Sequence, residues 1–151
     1  MKVRELDASY YEDIKGLFRE VFSAPPWNED WSDEEQLDNY LLELMEVRNP
    51  IVFGLYDDEE LIGISIGKIK HWCEGTEYFI EELCIRADRQ GKGYGKEFFS
   101  QIESKLQERG LDTIFLMTNR DQPAYGFYKK IGFREIPELA SFIKTFPVAS
   151  V

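Results

Sequence analysis

Residues 89 to 96 read Arg89-Gln90-Gly91-Lys92-Gly93-Tyr94-Gly95-Lys96, three glycines at alternate positions among cations. A β-rich run over 78–85 precedes them. After them Phe98, Phe99, Ile102 and Leu106 recur at helical spacing up to Gly110, a residue suited to closing a helix. The stretch is therefore a strand-loop-helix junction. A helix N-terminus leaves several amides unpaired and carries about half a positive charge, so such a junction favours an anion. Glycine lets phosphate oxygens approach the amides and lets φ turn positive where the chain wraps. Arg89, Lys92 and Lys96 add charge. Three glycines also describe a tight turn, and from this stretch alone both readings stand.

Two better-known phosphate loops are excluded by spacing. A P-loop requires G-x-x-x-x-G-K-[ST], whereas Gly95-Lys96 is followed by Glu97 and the first glycine position holds Gln90. A dinucleotide-binding loop requires G-x-G-x-x-G inside a parallel βαβ unit. Here Gly91, Gly93 and Gly95 give G-x-G-x-G after an antiparallel meander.

Working outward, residues 3–6 form a first strand, and Tyr11, Ile14, Leu17, Phe18, Val21 and Phe22 mark one stripe of a helix that stops at Ala24-Pro25-Pro26. Ser32-Asp33-Glu34-Glu35 has the Ser-x-x-Glu spacing of a capping box, opening a second helix whose stripe is Leu37, Tyr40, Leu41, Leu44 and Met45. Over 51–85 the period changes to that of strands: 51–56, 61–70 and 78–85, with short turns at 57–60 and 73–76 that make them antiparallel neighbours. Ile62, Ile64 and Ile66 share one face of the middle strand, while Gly63, Ser65 and Gly67 share the other. Something bulky should lie over the small residues. A buried strand follows at 113–117, then a short helix from Pro123 to about Lys130, and two C-terminal strands near 133–136 and 141–146. With no repeat or linker, the expectation is a single domain over 1–151 of the α/β (α+β) class, in the order βααβββαβαββ.

Composition narrows the function. A 43% hydrophobic, 15% aromatic chain of 151 residues can bury a core. No run approaches the ~20 apolar residues of a membrane span, and the opening MKVRELDASYY lacks a secretory apolar stretch, so a cytoplasmic protein is expected. Cys73 and Cys84 are too few for a disulfide framework, and with His71 the one histidine, no metal is expected. The net charge of −11, from 29 acidic and 18 basic residues, repels nucleic acid and anionic membranes and attracts cations. It also serves solubility.

Gln90-Gly91-Lys92-Gly93-Tyr94-Gly95 resembles the Gln/Arg-x-x-Gly-x-Gly/Ala signature of the GNAT superfamily of N-acetyltransferases. Glu81-Glu82-Leu83-Cys84-Ile85 is similar to that family's central strand, and the element from Ala124 through Tyr128 to Gly132-Phe133 is similar to its downstream A-x-x-x-Y…G-F motif. The likeness covers nearly the whole chain. It implies a GNAT fold, with a mixed, mostly antiparallel sheet and a V-shaped splay between the strand of Leu83, Cys84 and Ile85 and the strand over 114–117. It further implies acetyl-CoA as cosubstrate, pantetheine along Leu83, Cys84 and Ile85, and pyrophosphate on the loop of Gln90, Gly91, Lys92, Gly93, Tyr94, Gly95 and Lys96. The small-residue face would then meet either the cofactor or a packed helix. The family often has asparagine three residues before the motif alanine, where this chain has Asp121. Either Asn119 substitutes, or that cofactor contact is absent.

Acetyl transfer needs a neutral amine, yet an alkylammonium of pKa ~10 is mostly protonated at pH 7. Glu81 and Glu82 lie beside the expected thioester as candidate bases. On a regular strand only one of them reaches the cleft unless a bulge intervenes, and either may equally be a salt-bridged surface residue. The same carboxylate could bind the ammonium and leave deprotonation to solvent. Glu77 and His71 are weaker candidates. The resemblance assigns Tyr128 as proton donor to the departing thiolate, and a backbone amide near Leu83 and Cys84 suits an oxyanion. Cys84 has no histidine nearby, so direct attack in a ternary complex is expected rather than an acyl-enzyme. Trp27 and Trp31 lie where the family builds its acceptor pocket, with core packing as the rival reading. The expected partner is a small cationic amine of aminoglycoside or polyamine type, with no nucleic acid and no membrane. A peptide amine is the alternative acceptor, and a CoA-binding sensor or a nucleotide-binding protein the alternative class. The sequence does not decide between a monomer and a homodimer.

Overall fold

Alternating apolar and small residues after Pro50 produce three long strands that carry the rest of the molecule. In a computed structural model, which describes residues 1–150, these are β2 (Pro50–Asp57), β3 (Glu60–Trp72) and β4 (Gly75–Ile85). Ahead of them lie β1 (Lys2–Leu6), α1 (Tyr11–Ser23) and α2 (Glu34–Met45), and behind them α3 (Tyr94–Glu108), β5 (Ile114–Leu116) and α4 (Pro123–Lys130). The chain divides into two compact units, Met1–Met117 and Thr118–Val151, so α4 belongs to the second. The sheet runs β1-β2-β3-β4-β5, antiparallel throughout except for the parallel pair β4 and β5.

The apolar stripes of the first two helices close one face of the sheet. Ile14, Leu17, Phe18, Val21 and Phe22 of α1 and Leu37 and Leu41 of α2 pack with Leu6, Val52, Tyr56, Ile64, Ile66 and Cys84. Both helices are tied together at their polar margin. Lys15 is nearly buried and sits 2.8 Å from Asp38, also meeting Glu34, which Arg19 holds from 2.7 Å. Tyr11 donates to the same Asp38. Asp33, not Ser32, is the N-cap of α2: its carboxylate accepts from the Gln36 amide at 3.1 Å. The capping hydroxyl expected one residue earlier is displaced because Ser32 donates its own amide to Asp30.

Of the small residues Gly63, Ser65 and Gly67, the first lies against Leu55 and Ile85, and over the other two the expected bulk is a side chain. Tyr78 of the adjacent strand fills the space. Its ring is fully buried edge-on to Phe53, and its hydroxyl bonds Ser65 Oγ at 2.9 Å and donates to the Ile51 carbonyl at 3.0 Å. Ile62 does not share a regular ladder with Ile64 and Ile66. It is the extra residue of a bulge, since Gly63 faces Leu55 while Leu61 faces Tyr56.

The C-terminal end departs from the expected order. Residues 133–136 and 141–146 form no strand, so the element order is βααβββαβα. A β-rich composition makes a strand only where a ladder partner exists, and 142–143 lie almost fully in solvent, with Phe142 96% and Ile143 94% exposed. For the same reason β5 is shorter and less buried than the expected 113–117 strand: it is the sheet edge, paired on one side only.

A Cβ added at Gly67 would lie 2.5 Å from the Phe79 carbonyl oxygen and 2.6 Å from the Tyr78 ring, whereas one at Gly63 would meet nothing closer than 3.2 Å. Gly67→Ala is therefore expected to lower stability by about 2–3 kcal/mol, and Gly63→Ala by less, as read from urea unfolding midpoints.

Candidate active site

The parallel ladder between β4 and β5 is three residues long: Tyr78 faces Ile114, Phe79 faces Phe115 and Ile80 faces Leu116. Beyond Ile80, β4 continues with β3 alone, Leu83 facing Ser65, Cys84 facing Ile64 and Ile85 facing Gly63. In an antiparallel ladder, backbone groups point alternately toward the partner and away from it. Over Leu83, Cys84 and Ile85 the outward groups thus form an edge with no strand beyond it, of the kind an extended ligand can join as a strand, with only the Ile85 carbonyl already taken, by the Gln90 side chain.

That edge runs straight into the glycine loop. A short 3-10 turn over Ala87–Arg89 leads to Gly91 at φ 72° and Gly93 at φ 84°, and Gly93 is the N-cap of α3 with no side chain to satisfy the helix amides. Space beside both glycines is open. Among the described residues, none of the amides from 91 to 96 donates to a backbone acceptor. Glu97 is the first whose amide does, to the Gly93 carbonyl at 3.1 Å. Tyr94, Gly95 and Lys96 form the first turn of α3. The side chains expected to contact a ligand behave differently. Gln90 folds back, its Nε2 donating to the Ile85 carbonyl at 2.8 Å. Arg89 is drawn to Asp57, Glu60 and Asp88, and Lys92 donates to the Asp88 carbonyl. Backbone amides, more than the side chains of Gln90, Arg89 and Lys92, are the groups this loop leaves without a protein partner.

Glu81 is the extra residue of a β-bulge: Ile66 faces Glu82 while Gly67 faces Ile80. The bulge reverses the alternation. Ile80 lies on the side of Tyr78, but Glu82 joins Cys84 and Ile66 on the side of α1 and α2. Glu82 is half-buried there, and the Tyr40 hydroxyl of α2 donates to its Oε1. Burial raises the Glu82 carboxyl to about 7, opposed by the Tyr40 hydrogen bond and assisted by the charges of Glu29 and Glu81. Glu81 itself pairs with Lys68 at 3.7 Å. The Tyr40 ring stacks on Trp31 at 5.2 Å, and the Trp31 indole donates to Glu29 at 2.8 Å. Trp27 packs on Phe22 at 5.4 Å. Both tryptophans are partly buried against the core, as the core-packing reading expects.

The remaining candidates are dispersed. His71 is exposed near the tip of the β3–β4 hairpin, with Glu77 on the same hairpin opposite Lys70. The Cys84 thiol is buried and its ionisation pushed far up by desolvation and by Glu82, which removes it as a nucleophile. In the second unit, Tyr128 on α4 is half-buried with its ring against Phe127 and Phe133. Asn119 and Asp121 are exposed in the turn before α4, where the Asn119 carbonyl accepts from the Gln122 amide. Tyr125, Arg120 and Lys129 converge on Glu135 and hold its carboxyl down at about 2. Among the described residues no cluster of His, Cys, Asp or Glu is arranged to hold a metal ion, and no helix is long and apolar enough to cross a membrane.

Tyr40 and Glu29 are the residues that sequence reading missed. Tyr40 falls on the apolar stripe of its helix, and the one available signal was that a phenol turned toward a core must find a partner.

Because the folded Glu82 titrates near 7 rather than at its ordinary 4.5, the folded protein holds a proton between those values that the unfolded chain releases, and stability falls as pH rises through that window. Glu82→Gln should therefore be more stable than the parent at pH 8, on the order of 1 kcal/mol, with the difference vanishing near pH 4, as checked by denaturant midpoints across pH.

Comparison with known proteins agrees with this geometry. Residues 8–133 match the model of the acetyltransferase (GNAT) family. A protein of Yersinia enterocolitica named an acetyltransferase is 25% identical over 134 residues, 88% of this chain and 87% of the relative. Among solved structures, AAC(6')-Iy in complex with the bisubstrate analogue CoA-S-monomethyl-acetylneamine superposes with a TM-score of 0.71 at 16% identity, covering 96% of this chain and 98% of that one. A ribosomal-protein-alanine N-acetyltransferase from Brucella melitensis biovar Abortus gives 0.72 at 18% identity, over 97% and 100%. Unpaired loop amides, an open strand edge and a family match across more than four-fifths of the chain lead to one conclusion: this chain belongs to the acetyltransferase (GNAT) family and is an acetyl-CoA-dependent N-acetyltransferase.

Proposed function

We propose that the acceptor is a primary amine on a small cationic molecule of aminoglycoside or polyamine type, acetylated by direct attack in a ternary complex. The observation that carries this reading is the setting of Glu82. Its half-buried carboxyl titrates near neutrality beside the Tyr40 and Trp31 rings, in a neighbourhood where Glu29 and Glu81 supply further negative charge. Aromatic faces and carboxylates together select ammonium groups. The likeness to an aminoglycoside acetyltransferase bound to a CoA–neamine analogue supports the same class. A peptide N-terminus is the second reading, favoured by the likeness to an enzyme named for a ribosomal-protein alanine.

The cosubstrate brings the acetyl group as a thioester. The residues present fit it: the unpaired amides of Gly91, Lys92, Gly93, Tyr94, Gly95 and Lys96 would hold the pyrophosphate, and the free edge of Leu83, Cys84 and Ile85 the pantetheine. Asn119 and Asp121 are the candidates that the family resemblance offers for a further cofactor contact. Glu82, half ionised near pH 7, accepts a proton from the ammonium and so releases the neutral amine. Glu81, held by Lys68, contributes charge rather than proton transfer. An outward amide of the Leu83–Cys84 edge faces the acetyl oxygen as it gains charge. Tyr128 Oη gives its proton to the departing thiolate. Trp31, with Trp27 on the same connection, supplies faces for the acceptor's other ammonium groups. The family match runs across the boundary between the two units, which supports reading them as parts of one catalytic domain.

Free thiol released from acetyl-CoA should rise above the hydrolysis background with neamine or spermidine and less with an alanyl peptide; the reverse order would move the assignment to protein amines. Tyr128→Phe should reduce turnover by roughly 10- to 100-fold with CoA affinity nearly unchanged in calorimetry, and unaltered turnover would remove Tyr128 from its role. Gly93→Val should abolish CoA binding while circular dichroism stays native, because a β-carbon there occupies the anion's place and disfavours the φ of 84°.

A further inference from the structure

We propose that Tyr40 is a positioning residue for Glu82: by donating its hydroxyl to Oε1 it fixes the rotation of the carboxylate, leaves Oε2 for the substrate ammonium, and sets the pH at which the group ionises. The inference rests on the reading of Glu82 as the base and goes beyond it by naming what controls that base.

The placement of Tyr40 is over-determined. Asp38, two residues earlier on α2, is clamped by Lys15 at 2.8 Å and by the Tyr11 hydroxyl, which ties this turn of the helix to α1. The ring then packs in an aromatic trio, stacked on Trp31 at 5.2 Å and 22° and 5.9 Å from the buried Phe18, which itself meets Trp31 at 5.4 Å. Trp31 is in turn fixed through its indole N–H to Glu29. From that trio the hydroxyl is directed to Glu82. The β4 bulge brings the carboxylate to meet it, since a regular strand would have sent Glu82 to the opposite face.

Around Glu82 the influences are one-sided. The α1–α2 connection contributes Glu29, and β4 contributes Glu81 and the neutral thiol of Cys84. The cation nearest on β3, Lys68, is held by Glu81. Among the described residues, the Tyr40 hydroxyl is the one hydrogen-bond donor to Glu82, and no lysine or arginine pairs with it. Burial and neighbouring acids favour the protonated carboxyl, and Tyr40 alone favours the ionised one. Burial, and after it Glu82, raise the phenol's own ionisation, so Tyr40 remains a donor throughout the working range. Losing the hydroxyl can shift Glu82 in only one direction, upward.

Tyr40→Phe removes the hydroxyl and keeps the stacked ring. Two measurements test it. In the free protein, the side-chain carboxyl of Glu82 is titrated by carbon-13 NMR, its resonance assigned by its loss in Glu82→Gln; in Tyr40→Phe the midpoint should rise by about one pH unit. With acetyl-CoA and neamine, spermidine or an alanyl peptide as acceptor, the acid limb of kcat/KM should move up by the same amount, so that activity falls roughly tenfold at pH 6 and recovers at pH 9. A ring that only packs would lower the rate equally at every pH, and that result, or an unmoved NMR midpoint, overturns the proposal while leaving Glu82 as the base. If Glu82→Gln turns over as fast as the parent across pH, the base reading falls and the role of Tyr40 falls with it.

Discussion

The site depends on one extra residue in one strand. With Glu81 inserted opposite the Ile66–Gly67 step, β4 changes which face its side chains address without leaving its ladder with β3. Upstream of the bulge, Tyr78 and Ile80 serve the face where Phe53 is buried. Downstream, Glu82 and Cys84 serve the face of α1 and α2. The same point ends the pairing with β5, so the reversal of side chains coincides with the start of an unpaired backbone edge. A base candidate and a ligand-accepting edge are thus produced together by a single irregularity, which is why bulges recur beside functional sites.

The core supports that irregularity by filling the space around it. Tyr78 occupies the small-residue face of β3 with its hydroxyl bonded to Ser65 and Ile51, which leaves Gly67 no room for a side chain. A fully buried phenol with both roles satisfied holds β2, β3 and β4 in register at the level of the bulge. On the other face, the Lys15 cluster fixes α1 against α2 through charge-assisted bonds at the rim of an otherwise apolar layer. Rigid placement of α2 in turn decides where the hydroxyl of Tyr40 can reach.

Electrostatics divide the two ends of the cleft. At the loop, Asp88 and acidic residues of the β2–β3 turn neutralise Arg86 and Arg89, so the groups left for an anion would be the backbone amides at the N-terminus of α3. At Glu82, among the described residues, no lysine or arginine pairs with the carboxyl, and burial, assisted by Glu29 and Glu81, raises it to about 7. A net charge of −11 is consistent with recruiting a cation to that end. Keeping Glu82 half-buried is unfavourable to the folded state above neutral pH, a local instability of the sort that catalytic groups commonly carry.

The sequence by itself determined the elements and the family. Helical stripes in 11–22 and 37–45, strand runs over 51–85 and the glycine junction are local patterns, and local patterns are set by backbone sterics and by the period of apolar side chains. It could also name Glu81 and Glu82 together as candidates. Tertiary structure alone separated their settings, Glu82 toward α1 and α2 and Glu81 beside Lys68, because that difference turns on a register shift between β3 and β4 that no alternation within β4 records. It alone supplied Tyr40, whose place on an apolar stripe concealed a polar partner 42 residues away in the chain. It also withheld the two C-terminal strands: a run such as Ser141-Phe142-Ile143-Lys144 has strand composition, but a strand exists only where another backbone meets its hydrogen bonds.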